Sequence, residues 1–303
     1  MQEFNSLFDM MEAFPTEQHA IDHLREIRWG ENDEHAHCPH CGSTKVYHFS
    51  DNKNHKCGDC RKRFSIKVGT IFEDSKIQLR KWFMAIWLIT SHKKGIASTQ
   101  LAKDIKVTQK TAWFMLHRLR HASQTKSFNA PLDGDVEVDE TYIGGKAKNM
   151  HKTQIKAREQ YQKATVVGVI KRGGELRAKH VPITNKANLH GMVHEHVSTD
   201  GRLITDSSHM YKGLNGEYSH EVVNHHKGEY VRDDIHTNSI ESAWALLKRQ
   251  IIGTHHWVSK KHLQAYVDEM TWRFNRRDNQ EGERVNNLLA QVQGRLTYKA
   301  LIA

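Results

Sequence analysis

The sequence predicts a multidomain α+β protein: a small metal-binding ribbon, a helix-turn-helix region, and a larger α/β body on a mixed five-stranded sheet. Three observations predict it. All four cysteines fall in one short window as two Cys-x-x-Cys pairs. Two short helical patterns flank a tight turn at Lys106–Val107. After Phe128, three strand-like runs, a helix, two more strands and a helix follow in that order. The expected boundaries are 1–34 for an N-terminal helical arm, 35–72 for the ribbon, 73–127 for the helix-turn-helix region, 128–277 for the body and 278–303 for a tail; a length of 303 residues accommodates about two or three domains.

Charge narrows the class of partner. The net charge is +10 and the pI about 9.3, which points to a polyanion, most simply nucleic acid. Residues 1–37 hold nine acids against two basic residues, so the rest of the chain is near +17 behind an acidic front. The first residues, MQEFNSLFDMMEAF, lack the basic start of a secretory segment. The most apolar run, Trp82–Ile89, is far shorter than the roughly 20 residues that span a bilayer. The expectation is a soluble intracellular protein without membrane association.

Taken in order, residues 1–30 read as short amphipathic helices, with Ala20, Ile21, Leu24 and Ile27 at helical spacing. Cys38 and Cys41, then Cys57 and Cys60, match a four-thiolate zinc ribbon, since each knuckle brings two sulfurs to one ion at about 2.3 Å. Gly42 and Gly58 fit the knuckle turns. Four cysteines complete a tetrahedral shell, so the Zn²⁺ is structural; two unrelated cysteine pairs or a redox motif are the alternatives.

Gln78–Ser91 reads as a Trp- and Ile-rich helix. Ser98–Ile105 and Thr108–His121 form the helix-turn-helix, with Ser98 and Thr108 as N-caps. Gln109, Lys110 and Thr111 stand at the start of the second helix, where base edges are read. The basic end, including Arg118 and Arg120, points to backbone contacts. An ordinary helical hairpin gives the same pattern.

Within the body, Gly134–Gly145 (GDVEVDETYIGG) alternates like a strand, with Asp135, Glu137 and Asp139 on one face. Three carboxylates in a row repel one another, so the strand is either an exposed acidic edge or built to hold a cation. Phe128–Leu132 reads as a linker and Lys146–Lys163 as a basic loop. Lys163–Lys171, Glu175–Val181, Arg202–Asp206 and His220–His225 read as strands, and Asn185–Val197, Thr237–Ile252 and Lys260–Asn275 as helices. That order is RNase H-like. It sets Asp139 on the first strand, Asp206 at the end of the fourth and Glu241 one turn into the helix across that edge. Three such carboxylates would bind two divalent cations for phosphoryl transfer, Mg²⁺ (or Mn²⁺) because every ligand is oxygen. Taken singly, each has a plainer role: Glu241 closes a capping box from Asn238, Asp206 caps a helix, and Asp139 is edge charge.

The chain resembles the transposases of the IS1595 insertion-sequence family, ISXO2-like group. The resemblance is carried by CPHC…CGDC, VDETYIGGK, TDSSHMYKGL and HTNSIESAWALLKRQIIGTHHWVSKKHLQAYVDEMTWRFNRR, and covers nearly the whole chain. It implies a DDE triad at Asp139, Asp206 and Glu241; family members also carry Asn or His at the last position. It further implies that Asn238 orients the helix start, that Lys248 reaches a phosphate, and that His255, His256 and Lys260 hold DNA near the cut. A solvated basic face would look the same. The implied function is a transposase that binds terminal inverted repeats, cleaves at the element end and transfers the strand to target DNA, as a homodimer or larger assembly on DNA. A catalytically idle DNA-binding regulator and a nuclease without strand transfer are the competing readings.

Overall fold

The computed structural model describes residues 4–124, 130–144 and 163–303. The chain divides into two compact units, Met1–Gln124 with Asp278–Ala303, and Thr125–Arg277. The basic stretch expected as a loop over Lys146–Lys163 lies, apart from Lys163, outside the described residues, as do Phe128 and Asn129 of the expected linker.

In the first unit, α1 (Leu7–Ala13) opens on a capping box between Ser6 and Asp9, and α2 (Glu17–Trp29) buries Ala20, Ile21 and Leu24 on one stripe. The helix stops at Gly30, whose φ of +83° suits glycine. β1 (Val46–His48), β2 (Asn54–Cys57) and β3 (Arg63–Ser65) form an antiparallel three-stranded ribbon in that order. Its small core is His55 and Phe64 with Trp29 of α2, whose ring meets His55 edge-on at 4.6 Å.

Leu79, Trp82, Phe83 and Ile86 repeat at i, i+3, i+4 and i+7, so α3 (Leu79–Ser91) buries one broad face. α4 (Ser98–Asp104) and α5 (Gln109–Ala122) follow as a pair of helices, with Lys106 left-handed at φ +51° in the turn. Thr108 caps α5 by accepting from the Thr111 amide at 3.2 Å. The N-cap of α4 is Ala97 rather than the expected Ser98; the Ser98 hydroxyl instead accepts from Gln109 Nε2 across the turn at 2.9 Å.

The second unit is a five-stranded sheet in the order β6-β5-β4-β7-β8. β4 (Asp135–Ile143), β5 (Ala164–Lys171) and β6 (Leu176–Val181) run antiparallel; β7 (Arg202–Asp206) and β8 (Ser219–Val223) are parallel to β4. β5 is buried along nearly its whole length, as the apolar run ATVVGVIK requires of a strand covered on both faces. α6 (Lys186–His196) returns the chain from β6 to β7 and packs Leu189, Met192 and Val193 against Val136, Val138 and Val169. A short hairpin, β9 (Val231–Arg232) and β10 (Ile235–His236), leads to α7 (Asn238–Arg249), a π-helical turn (Gln250–His255) and α8 (Lys260–Asn275). These cover the other face through Ile240, Trp244 and Leu247 of α7 and Leu263, Val267 and Met270 of α8. No helix among the described residues is long and apolar enough to cross a membrane.

The last segment differs from the expected mixed tail. It holds α9 (Glu281–Ala290) and α10 (Tyr298–Ile302) and completes the first unit. Val285, Leu288 and Leu289 supply a helical apolar stripe that is fully buried. Gly282 sits so close to the Phe4 carbonyl that an added Cβ would lie 2.0 Å from its oxygen.

Candidate active site and metal centres

The zinc-ribbon cysteines come together as their spacing requires. Cys38 and Cys60 sulfurs lie 3.7 Å apart, Cys41 and Cys57 3.6 Å, and all four fall within 4.8 Å of one another. Zn–S bonds of about 2.3 Å in a tetrahedron set sulfurs about 3.8 Å apart, so the quartet fits Zn²⁺. The residue after each second cysteine is left-handed, Gly42 at φ +74° and Arg61 at +58°. That twist turns the amides of His40 and Cys60 onto the sulfurs of Cys38 and Cys57, both at 3.4 Å. Gly58 serves a different purpose: its Cβ would stand 3.1 Å from that of Lys45.

On β4 the three carboxylates of one face have three different partners. Asp135 accepts from Arg202 Nε at 2.9 Å and pairs with Arg172 at 3.3 Å. Glu137, with 0% of its surface exposed, accepts from Arg172 Nε at 2.8 Å, Ser239 Oγ at 2.9 Å and the Ile240 amide at 3.0 Å. It therefore caps the N-terminus of α7 from the neighbouring strand, where the helix dipole favours an anion. Asp139 receives Trp244 Nε1 at 3.0 Å and has no ion pair among the described residues. The indole reaches it across Gly168, which pairs with Asp139 on β5; a Cβ there would lie 2.5 Å from the ring.

The parallel ladder then brings in Asp206. Val138 pairs with Thr205, so Asp139 and Asp206 are the next residues on adjacent strands at one end of the sheet. Glu140, on the opposite face of β4 from Asp139, accepts a 2.6 Å hydrogen bond from the buried Tyr211 hydroxyl. Burial first, then the charges of Glu140 and Asp206, push the Asp139 carboxyl up to about 7. Burial, opposed by the Tyr211 hydrogen bond, raises Glu140 as well. A pocket of about 420 Å³ opens beside Asp206, lined among others by Ser208, Tyr211, Lys212 and His220. Carboxylate oxygens are the donors that a hard divalent cation takes.

Glu241 stands apart from this pair. Its Oε1 accepts from the Thr237 hydroxyl at 2.9 Å and lies 3.7 Å from His225 Nε2, with nearly half of the side chain exposed. The three carboxylates do not meet the 4.8 Å criterion that the cysteines satisfy. Nor does Glu241 close a capping box: the N-cap is Thr237, and Glu137 does the capping that Asn238 was expected to organise.

The expected DNA contacts divide by burial. Gln109 and Lys110 are exposed at the start of α5, while Thr111 is half-buried with its hydroxyl on Thr108. Lys248, His256 and Lys260 are exposed, and His255 is half-buried with its ring 4.7 Å from that of Tyr266. Arg118 and Arg120 are corrections. Both are buried, because the second half of α5 faces the core on nearly all sides. Arg118 donates to the carbonyls of Ile71, Glu73 and Leu296, and so serves the fold.

Sequence reasoning missed Glu140, Tyr211 and the Trp244–Asp139 pair. The signal for the last was Gly168, a lone glycine inside an apolar strand, which marks a close approach.

A four-cysteine ribbon and a mixed five-stranded sheet covered by helices make this a multidomain α+β protein. Residues 131–275 match the family model of the ISXO2-like transposase domain, and residues 15–63 that of the transposase zinc-ribbon domain. A protein in the transposable element ISH50 of Halobacterium salinarum is 30% identical over 285 residues, covering 85% of this chain and 90% of that one. A transposase-like protein of Haemophilus influenzae is 30% identical over 96 residues, covering 31% of this chain and 76% of that one. The chain belongs to the IS1595 family of transposases. Among solved structures, a pre-cleavage Mos1 transpososome matches at 13% identity with a TM-score of 0.26, covering 71% of this chain and 80% of that one, too distant to carry weight.

Proposed function

We propose that this transposase binds the terminal inverted repeats of its element and carries out metal-dependent phosphodiester hydrolysis and strand transfer with Asp139, Asp206 and Glu241. The observation that supports this most is the parallel register Val138↔Thr205, which sets Asp139 and Asp206 side by side on adjacent strands, with Glu241 in the first turn of α7. Asp139 and Asp206 would hold Mg²⁺ or Mn²⁺, with Glu241 as the third carboxylate. Bound there, such cations would supply a lowered pKa for the attacking water and charge stabilisation for the in-line displacement. Trp244 keeps Asp139 in one rotamer, and Glu137 keeps α7, and with it Glu241, at a fixed height over the sheet.

Sequence-specific contacts come from Gln109, Lys110 and Thr111 at the start of α5. Lys248, His255, His256 and Lys260 hold the phosphate backbone near the carboxylates. Two ends have to be joined in one reaction, so the working form is a homodimer or larger assembly on DNA. The proposed parts are residues 35–72 and 73–127 for end binding and 128–277 for catalysis, with the helices after residue 278 buttressing the first unit.

Strand transfer from a precut, labelled inverted-repeat end into plasmid DNA tests the proposal. Mg²⁺-dependent joined products are the expected result. Cutting without joining reduces the protein to a nuclease, and end binding with neither reaction reduces it to a regulator.

A further inference from the structure

The π-helical turn after α7 has a fixed base and an exposed apolar tip. At its base, Gln250 is fully buried and accepts from Arg273 Nη2 at 2.9 Å, and His255 rests on Tyr266. At its tip, Ile252 and Trp257 are 68% and 70% exposed, the two most exposed large apolar side chains among the described residues of this unit. Between them His256 takes φ +62° and ψ −45°, a backbone conformation that residues with a Cβ avoid. An exposed tip on an anchored, strained base is a feature held in place for a purpose, since relaxing His256 would remove it.

The surroundings say what the tip meets. From Ser242 to Val267 the chain has four Lys or Arg and three His, and no Asp or Glu. Lys248, Arg249, Lys260 and Lys261 are all exposed around the turn. A large exposed aromatic ring in a stretch whose charged residues are all cations complements a partner that is anionic outside and flat and apolar inside, which is the description of a nucleic-acid strand with unstacked bases. A protein surface would offer acids against the cations but no stack of planar faces for the ring. α7 is a helix of 12 residues, about 18 Å long, with Glu241 in its first turn and the tip following its other end.

We infer that Trp257, backed by Ile252, is a base-stacking wedge that receives an unpaired or unstacked nucleotide of the DNA end while the cations around it hold the phosphates. This deepens the DNA reading above and rests on it: the chain distinguishes a frayed end from intact duplex by stacking, and the wedge keeps that end open near the carboxylates.

The test compares wild type, Trp257→Ala and Trp257→Phe for binding to a labelled oligo-dT strand, a blunt duplex of equal length, and the same duplex with an unpaired tail, at several salt concentrations. Trp257→Ala is expected to weaken binding to the strand and the tailed duplex about 10-fold or more, with little change on the blunt duplex and an unchanged salt slope. Trp257→Phe should restore most of the loss, whereas Lys248→Ala should weaken all three probes and lower the salt slope by about one. Trp257 is exposed, so folding is not at stake, and an unchanged melting temperature confirms it. Equal binding by wild type and Trp257→Ala, or equal losses on strand and blunt duplex, overturns the wedge. So does a variant that sediments as a smaller species with strand affinity intact, which would make the tip an interface between copies. Failure of the wild type to bind any of the probes sinks the DNA reading itself, a result separable from the others.

Discussion

The indole Nε1 of Trp244 donates to Asp139 Oδ2 at 3.0 Å. It does so across a strand whose facing residue, Gly168, has no side chain to obstruct the ring. Packing and chemistry are therefore joined at one point: the residue that seats α7 on the sheet is also the one that orients the carboxylate. Replacing Gly168 with Ala is expected to displace the ring, cost about 1–3 kcal/mol of stability, and raise the Mg²⁺ concentration needed for half-maximal cleavage. Trp244→Phe keeps most of the packing but loses the N–H, and should shift the Mg²⁺ requirement with a smaller loss of stability. Denaturant titration and a Mg²⁺ titration of cleavage read the two effects separately.

Burial beside Glu140 and Asp206 raises the Asp139 carboxyl from its ordinary value to about 7. Its folded pKa thus exceeds the unfolded one, so the folded state binds the extra proton. The stability associated with that proton is fully present below about pH 4 and is lost as pH rises through about 7. In metal-free protein, Asp139→Asn should therefore melt higher than wild type at pH 8, and the two should converge at pH 4. Added Mg²⁺ should raise the wild-type melting temperature at pH 8 and leave the variant unmoved. Parallel melting curves at all pH values would contradict this.

The buried Glu137 pairs with the half-buried Arg172 and also caps α7. Removing the carboxylate with Glu137→Ala leaves Arg172 with Asp135 as its ion-pair partner but a helix end without its acceptor, at a cost of about 1–3 kcal/mol. Glu137→Gln, which still accepts hydrogen bonds, should cost less. Unfolding midpoints in urea rank the three proteins in the order wild type, Gln, Ala.

Cys57→Ser removes one of four sulfurs that lie within 4.8 Å of one another. Elemental analysis should find one zinc per wild-type chain and almost none in the variant, together with weakened DNA binding by the first unit. Equal zinc content would show that the ribbon does not hold the ion through these cysteines.

Much of this was legible in the chain, for physical reasons. Local spacing fixes the ribbon, because each Cys-x-x-Cys knuckle is one turn. Period fixes the helices: α8 has the expected limits because Leu263, Tyr266, Val267 and Met270 repeat on one face. Asp139 and Asp206 were legible as a pair because strand order and parallel register follow from how strands and helices alternate. What escaped was decided by tertiary contact. Arg118 and Arg120 look like phosphate ligands in a basic helix end, and only the packing of α5 shows them buried. Glu137 and Asp139 are alike in the pattern GDVEVDE, yet one meets an arginine and a helix end and the other an indole. The closing segment reads as mixed because its stripe is a single turn of Val285, Leu288 and Leu289, which has meaning only against α2 and α3.

The most direct measurement is cleavage of a labelled inverted-repeat end by wild type, Asp206→Asn and Glu241→Ala, with and without Mg²⁺, alongside end binding and melting temperature. The expected result is Mg²⁺-dependent cutting by wild type alone, with all three proteins folded and bound to the end. A Glu241→Ala protein that cuts as well as wild type would contradict the triad and leave the chemistry to Asp139, Asp206 and the Glu140 beside them.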